Sequence, residues 1–136
     1  MTFPDAGVYL IQNSSNPDIY ATIHGTEHVL RAESLDVHKY YQRWRVTYAD
    51  NDSDQGICVL SKEQGAGILG VRSSVHQNAP VFTLSESQSW ILTQTDEGYT
   101  IGQFSQHGVY NWSYHTKGEP ITVVENGQSW KFVPEN

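Results

Sequence analysis

Apolar and polar residues alternate in short runs along most of this chain, and almost nowhere do apolar residues recur at the three-to-four spacing of an amphipathic helix. The runs are rich in Val, Ile, Tyr, Trp and Thr, and Gly, Asn, Asp, Ser and Pro punctuate them. This pattern predicts strands over 7–13, 19–24, 28–32 and 42–49, then 56–61, 67–73, 80–84 and 88–94, then 98–103, 108–115, 121–125 and 128–133. Asn126-Gly127 reads as a tight hairpin turn and Asp96-Glu97-Gly98 as a second turn. One helical turn is expected near 34–40. The prediction is therefore an all-β sandwich or barrel.

The strands recur in a register. Gln42-Arg43-Trp44, Gln88-Ser89-Trp90 and Gln128-Ser129-Trp130 share a Gln-x-Trp step, with the tryptophans 46 and then 40 positions apart. Gly7, Gly56 and Gly98 each open a run, 49 and then 42 positions apart. Two landmarks with the same long-then-short rhythm divide the chain into three copies of about four strands, near 5–50, 55–95 and 97–135. Within each step the tryptophan alternates with polar neighbours (Arg43, Arg45, Ser89, Lys131), which places the ring inward. A buried Trp removes about 200 Å2 from water. The Gln two residues earlier shares that face and can bond a neighbouring loop, so all six residues read as internal corners of the fold.

Three four-strand copies that each end in Gln-x-Trp resemble the β-trefoil, and this resemblance implies twelve strands in three pseudo-threefold repeats within one domain, 1–136. The opening Gly7-Val8-Tyr9-Leu10-Ile11-Gln12-Asn13 and the Tyr-containing second strand look like the ricin B-type lectins and their fungal relatives. The likeness covers residues 5–134. It implies a non-enzymatic carbohydrate-binding protein, with glycans or glycoproteins as partners and defence as one role. In that family an aspartate in the second strand of each copy grips two sugar hydroxyls. Carried over here, its place falls on Thr22, Gly70 and Trp112, so the aspartate is absent from all three copies.

A sugar site must then use other residues: a flat ring for the apolar face of a pyranose, and hydrogen-bonding groups for its hydroxyls. Tyr110, Asn111, Trp112, Tyr114 and His115 form the richest such cluster. Alternation puts Tyr110, Trp112 and Tyr114 on one face of their strand, and the pattern leaves open whether that face is core or ligand groove. His38, Tyr40 and Tyr41 precede Gln42 and could frame a site in the first copy.

The ending Trp130-Lys131-Phe132-Val133-Pro134 and the step Gly98-Tyr99-Thr100-Ile101 are also similar to fungal β-trefoil protease inhibitors of the cospin-like and clitocypin-like kinds. That alternative needs a basic residue on an exposed loop and a serine or cysteine protease as partner. Lys117, Lys62 and Lys39 are the candidates, with Lys117 beside Gly118 and Pro120 the most loop-like.

Composition narrows the remaining classes. A formal net charge of −7 disfavours nucleic acid and anionic membranes as partners. Cys58, the one cysteine, permits no internal disulfide and sits in an apolar run as a small core residue. Asp50, Asp52 and Asp54 mimic the start of a calcium loop, but Gln55 and Ser61 stand where Gly and Glu are needed. No nucleophile elbow, phosphate loop or dinucleotide fingerprint occurs, and the expectation is neither enzyme nor metal nor cofactor. No apolar run approaches the roughly 18 residues of a spanning helix. The start lacks a basic, apolar leader, so the expectation is a cytoplasmic protein or one released by a non-classical route. The sequons at Asn13, Asn51 and Asn111 are expected to go unused.

Overall fold

The structure, a computed structural model, describes residues 3–25, 27–36, 41–49, 52–72 and 74–135. Those residues form thirteen strands: β1 (Gly7–Asn13), β2 (Tyr20–Thr22), β3 (Arg31–Glu33), β4 (Trp44–Thr47), β5 (Ile57–Lys62), β6 (Ile68–Gly70), β7 (Ala79–Pro80), β8 (Phe82–Leu84), β9 (Trp90–Thr95), β10 (Gly98–Ser105), β11 (Gly108–Ser113), β12 (Thr122–Val124) and β13 (Trp130–Pro134). The period-two pattern does what it predicts. In β4, Trp44 and Val46 are buried while Arg45 and Thr47 face solvent.

Six strands close on themselves. β1 pairs β4, β4 pairs β5, β5 pairs β9, β9 pairs β10, β10 pairs β13, and β13 returns to β1, every contact antiparallel. A closed ring leaves these strands no unpaired edge. The strand pairs β2–β3, β6–β8 and β11–β12 extend from β1, β5 and β10 and form a cap over one end of the barrel.

The cap is held by a three-membered circuit of backbone hydrogen bonds. Leu30 N–H donates to Val81 O (2.9 Å), Val81 N–H to Ile121 O (3.2 Å), and Ile121 N–H to Leu30 O (2.8 Å). All three residues are fully buried. One buried cluster runs from barrel to cap and includes all four tryptophans.

The structure departs from the sequence reading in detail. The stretch predicted as one strand at 80–84 is split into β7 and β8 around Val81, whose N–H and C=O turn into the circuit. Asn126-Gly127 does not close a hairpin, because β12 pairs β11 and β7 whereas β13 pairs β1 and β10. Gly127 is needed for close approach instead: a Cβ there would collide with Asn111. Gly98 answers both demands, with φ +144° and the Trp130 carbonyl directly against its Cα. Of the expected helical turn, 34–36 is irregular and 37–40 lies outside the described residues. A short 3-10 turn occurs at Asp52–Gln55 instead.

Cys58 is 1 % exposed, and burial pushes its thiol pKa up to about 12. The thiolate is therefore scarce below that pH in the folded state. A disulfide reagent at pH 8 is expected to label Cys58 only at the rate of unfolding, and rapid stoichiometric labelling of native protein would contradict the placement. Trp90→Phe removes the Nε1–H that donates to the buried Leu69 carbonyl at 2.9 Å. The expected cost is about 1–3 kcal/mol in a urea melt.

Candidate functional site

The corners of the fold set the register on which any site must be placed. The Nε1–H groups of Trp44, Trp90 and Trp130 donate to the carbonyls of Ala21 (3.0 Å), Leu69 (2.9 Å) and Trp112 (3.3 Å). Each bond ties a barrel strand to the cap strand of the same copy. The glutamines work beside them. Gln88 bonds both the N–H and the C=O of Val71, and Gln128 does the same with Tyr114. Gln42 instead reaches Ser34 O, Asp36 N–H and Thr22 Oγ1. Neighbouring copies join through the same side chains: Asn13 Nδ2 donates to Gln128 Oε1 and Gln103 Nε2 to Gln88 Oε1, both at 3.0 Å. Asn13 is buried, and its side-chain amide is committed to hydrogen bonds within the fold.

This register corrects the sequence alignment of the third copy by one residue. Ala21, Leu69 and Trp112 are equivalent, so Ser113, not Trp112, stands with Thr22 and Gly70. None of the three is an aspartate.

Trp112 is fully buried and does not line a groove, and Tyr110 is buried with it. The Trp112 ring sits edge-on between Trp90 (5.5 Å) and Trp130 (5.9 Å), filling the slot that Ala21 and Leu69 occupy in the other copies. Its indole nitrogen has no hydrogen-bond partner, and neither has Asn111 Oδ1. Asn111 is wedged against Gly102 and Gly127. Tyr114 packs on Trp130 and accepts a hydrogen bond from Asn16 Nδ2 (3.0 Å), and His115 is exposed. The third-copy constellation is thus divided between core and surface and does not converge on one face.

The first copy brings together a different set. His38 and Tyr40 lie outside the described residues, as does Lys39. Tyr41 is 40 % exposed, a large ring open to solvent. His24, which follows β2, meets Tyr41 with ring centroids 6.2 Å apart, and its Nε2 is 2.9 Å from Glu33 Oε2 on β3. That contact becomes an ion pair when the imidazole is protonated. Tyr20 lies directly across the ladder from Glu33, with its hydroxyl accepting from Gln12 Nε2. A ring face, a carboxylate and an imidazole therefore share one patch. Sequence reading missed His24 and Glu33, whose proximity depends on the β2–β3 register. At equivalent positions the second copy has Arg72, Leu84 and Ser87, with Arg72 stacked 3.9 Å over Phe82. The third has His115, Val124 and Gly127. Only the first copy combines all three groups.

The basic candidates for an inhibitory loop are not presented as such a loop requires. Lys62 ends β5, partly buried, in the position that Asn13 and Gln103 hold in the other copies, with its N–H donating to Gly67 O. Lys117 is exposed but its loop lies flat along β3: Gly118 N–H donates to Ala32 O, Ala32 N–H to Glu119 O, and Lys117 Nζ is 3.6 Å from Asp18. Among the described residues no cluster of His, Cys, Asp and Glu could hold a metal ion, and no helix is long and apolar enough to cross a membrane.

No protein-family model and no curated protein matches this chain. Solved structures do. The Rhizoctonia solani agglutinin superposes with a TM-score of 0.81 at 16 % identity, over 99 % of each chain. The Macrolepiota procera ricin B-like lectin, in complex with lactose, gives 0.79 at 14 % identity, over 99 % of this chain and 100 % of that one. The Polyporus squamosus lectin, bound to the epitope Neu5Acα2-6Galβ1-4GlcNAc, gives 0.77 at 13 % identity, over 96 % of this chain and 50 % of that one. At these identities the likeness is one of fold: this chain has the fold of fungal ricin B-like lectins.

Truncating Trp112 tests its placement. Trp112→Ala empties a fully buried slot and is expected to cost about 3–5 kcal/mol, read as a large drop in melting temperature. An unchanged melting temperature would show that the ring is not core.

Proposed function

We propose that this protein is a non-enzymatic glycan-binding module whose binding surface is the first-copy patch of Tyr41, His24 and Glu33. The convergence of the three groups on one exposed patch carries the reading. A pyranose ring offers an apolar face that stacks on an aromatic side chain, and its paired hydroxyls donate to a carboxylate. The His24 contact orients the Glu33 carboxylate before a ligand arrives, which reduces the ordering cost of binding. The shared fold with three fungal lectins supports the reading, two of them solved with bound sugars. We also read the thirteen strands as the twelve of a β-trefoil, counting β7 and β8 as one interrupted strand, in a single domain spanning 1–136.

Affinity measured on an array of neutral and sialylated oligosaccharides tests this. Tyr41→Ala and Glu33→Gln are each expected to weaken binding about tenfold. Both are surface changes and should shift stability by no more than about 0.5 kcal/mol. Undiminished binding by both variants would remove the patch from the site. An array on which the native protein binds nothing would remove the function.

A further inference from the structure

Phe104 is 71 % exposed, far above the other exposed large apolar side chains among the described residues, Leu35 at 42 % and Tyr41 at 40 %. An exposed ring of this size gains nothing from folding, because it stays in water. Nor is it on a loose tip. Gly102, Gln103, Phe104 and Ser105 pair in register with Asn111, Tyr110, Val109 and Gly108. Ser105 Oγ donates to Gly108 O and accepts from His107 N–H, each at 3.0 Å, which tightens the turn. The ring therefore stands on a rigid strand pair, and ligand contact would cost little further ordering.

Two clefts adjoin it, and Phe104 belongs to the walls of both. One, of about 450 Å3, adds Gln103, Gln88, Ser89, Val71 and Ile91. The other, of about 600 Å3, adds Ser105, His107, His76, Gln106 and Val75. Gln103 is fixed within the first by donating to Gln88 Oε1 (3.0 Å) and Ser89 O (3.2 Å). Among the described residues no Asp, Glu, Lys or Arg lines either cleft, on a chain that carries 15 acidic residues. The chemistry on offer is an open aromatic face beside Gln106, the Ser89 hydroxyl and two imidazoles, without Asp, Glu, Lys or Arg among the described lining residues; the Gln88 amide and Gln103 Nε2 are already bonded within the fold.

Resting on the glycan-binding reading, we infer that the β10–β11 strand pair forms a second, separate subsite for an uncharged pyranose unit, stacked on Phe104 with its hydroxyls reaching into the two clefts. A neutral sugar matches this surface: its C–H face covers the ring and its hydroxyls meet amide, hydroxyl and imidazole groups. A sialylated or sulfated unit would find no Lys or Arg among the described lining residues. A second subsite on the same rigid domain also allows two branches of one glycan, or two glycans on one surface, to be held at once.

The test uses the full chain, fluorescently labelled, on printed neutral and sialylated oligosaccharides, with Tyr41→Ala, Phe104→Ala, Phe104→Tyr and the Tyr41→Ala/Phe104→Ala pair. Tyr41→Ala is expected to keep binding a set of neutral oligosaccharides, and adding Phe104→Ala should weaken that residual binding about tenfold. Phe104→Tyr, which keeps the ring, should retain it. Melting temperatures of the Phe104 variants should match the native chain. If Phe104→Ala leaves every neutral spot unchanged in both backgrounds, the subsite is wrong although the first-copy patch stands. If it leaves the array unchanged but converts a dimer to a monomer by light scattering, the ring serves self-association and the inference is likewise overturned. Silence of the native protein on the whole array would sink both readings. Binding lost with Phe104→Ala but not with Tyr41→Ala would keep this subsite and remove the other.

Discussion

The fold depends on what satisfies three buried carbonyls, those of Ala21, Leu69 and Trp112. Each belongs to a cap strand at a fully buried residue, and each accepts an indole N–H from a barrel strand of its own copy. A buried acceptor left without a partner costs about 1–3 kcal/mol, so the tryptophan supplies both the volume that fills the core and the donor that removes this cost. No apolar residue could do both. The indole bonds join cap to barrel within a copy, and the Leu30–Val81–Ile121 circuit joins the copies to one another at the cap. The two sets of bonds reinforce different directions, beside the strand pairing that already joins cap to barrel and copy to copy.

This division explains which parts of the fold were legible. The donors are tryptophans preceded by glutamines, large and distinctive side chains whose recurrence can be counted, so the three Gln-x-Trp steps stand out in the sequence. The circuit is made of backbone groups under Leu, Val and Ile, which look like any other apolar positions. The split of β7 from β8 follows from Val81 turning its amide toward that circuit, and for the same reason it left no mark in the pattern. Asn126-Gly127 misled because a turn signal describes the chain locally, whereas the partner of each flanking strand is decided by closure of the barrel.

The fourth tryptophan shows how the same limit acts on function. Alternation correctly separated Tyr110, Trp112 and Tyr114 from Asn111, Ser113 and His115, but a period of two does not say which set is inside. The indole register settles it, because the equivalents of Trp112 are Ala21 and Leu69. The slot varies from Ala to Leu to Trp among the copies, so their cores are related by position and filled differently. A residue outside the repeated signature was therefore no sign of a site; it marked the copy with the largest volume to fill.

The outer surface is under a weaker constraint, and there the copies diverge in chemistry as well as size. Where the first copy sets His24, Glu33 and Tyr41, the second sets Arg72, Leu84 and Ser87, and the third His115, Val124 and Gly127. Gly127 cannot carry a ring, because Asn111 occupies the space its side chain would need. Arg72 is held over Phe82 and so spends its cationic face on an aromatic of its own copy. The internal corners thus reach outward: the packing that places Asn111 and Phe82 decides which copies can display an open aromatic face. Among the described residues an aromatic ring stays open where no such neighbour covers it, as at Tyr41 beside His24 and at Phe104 on its paired strands.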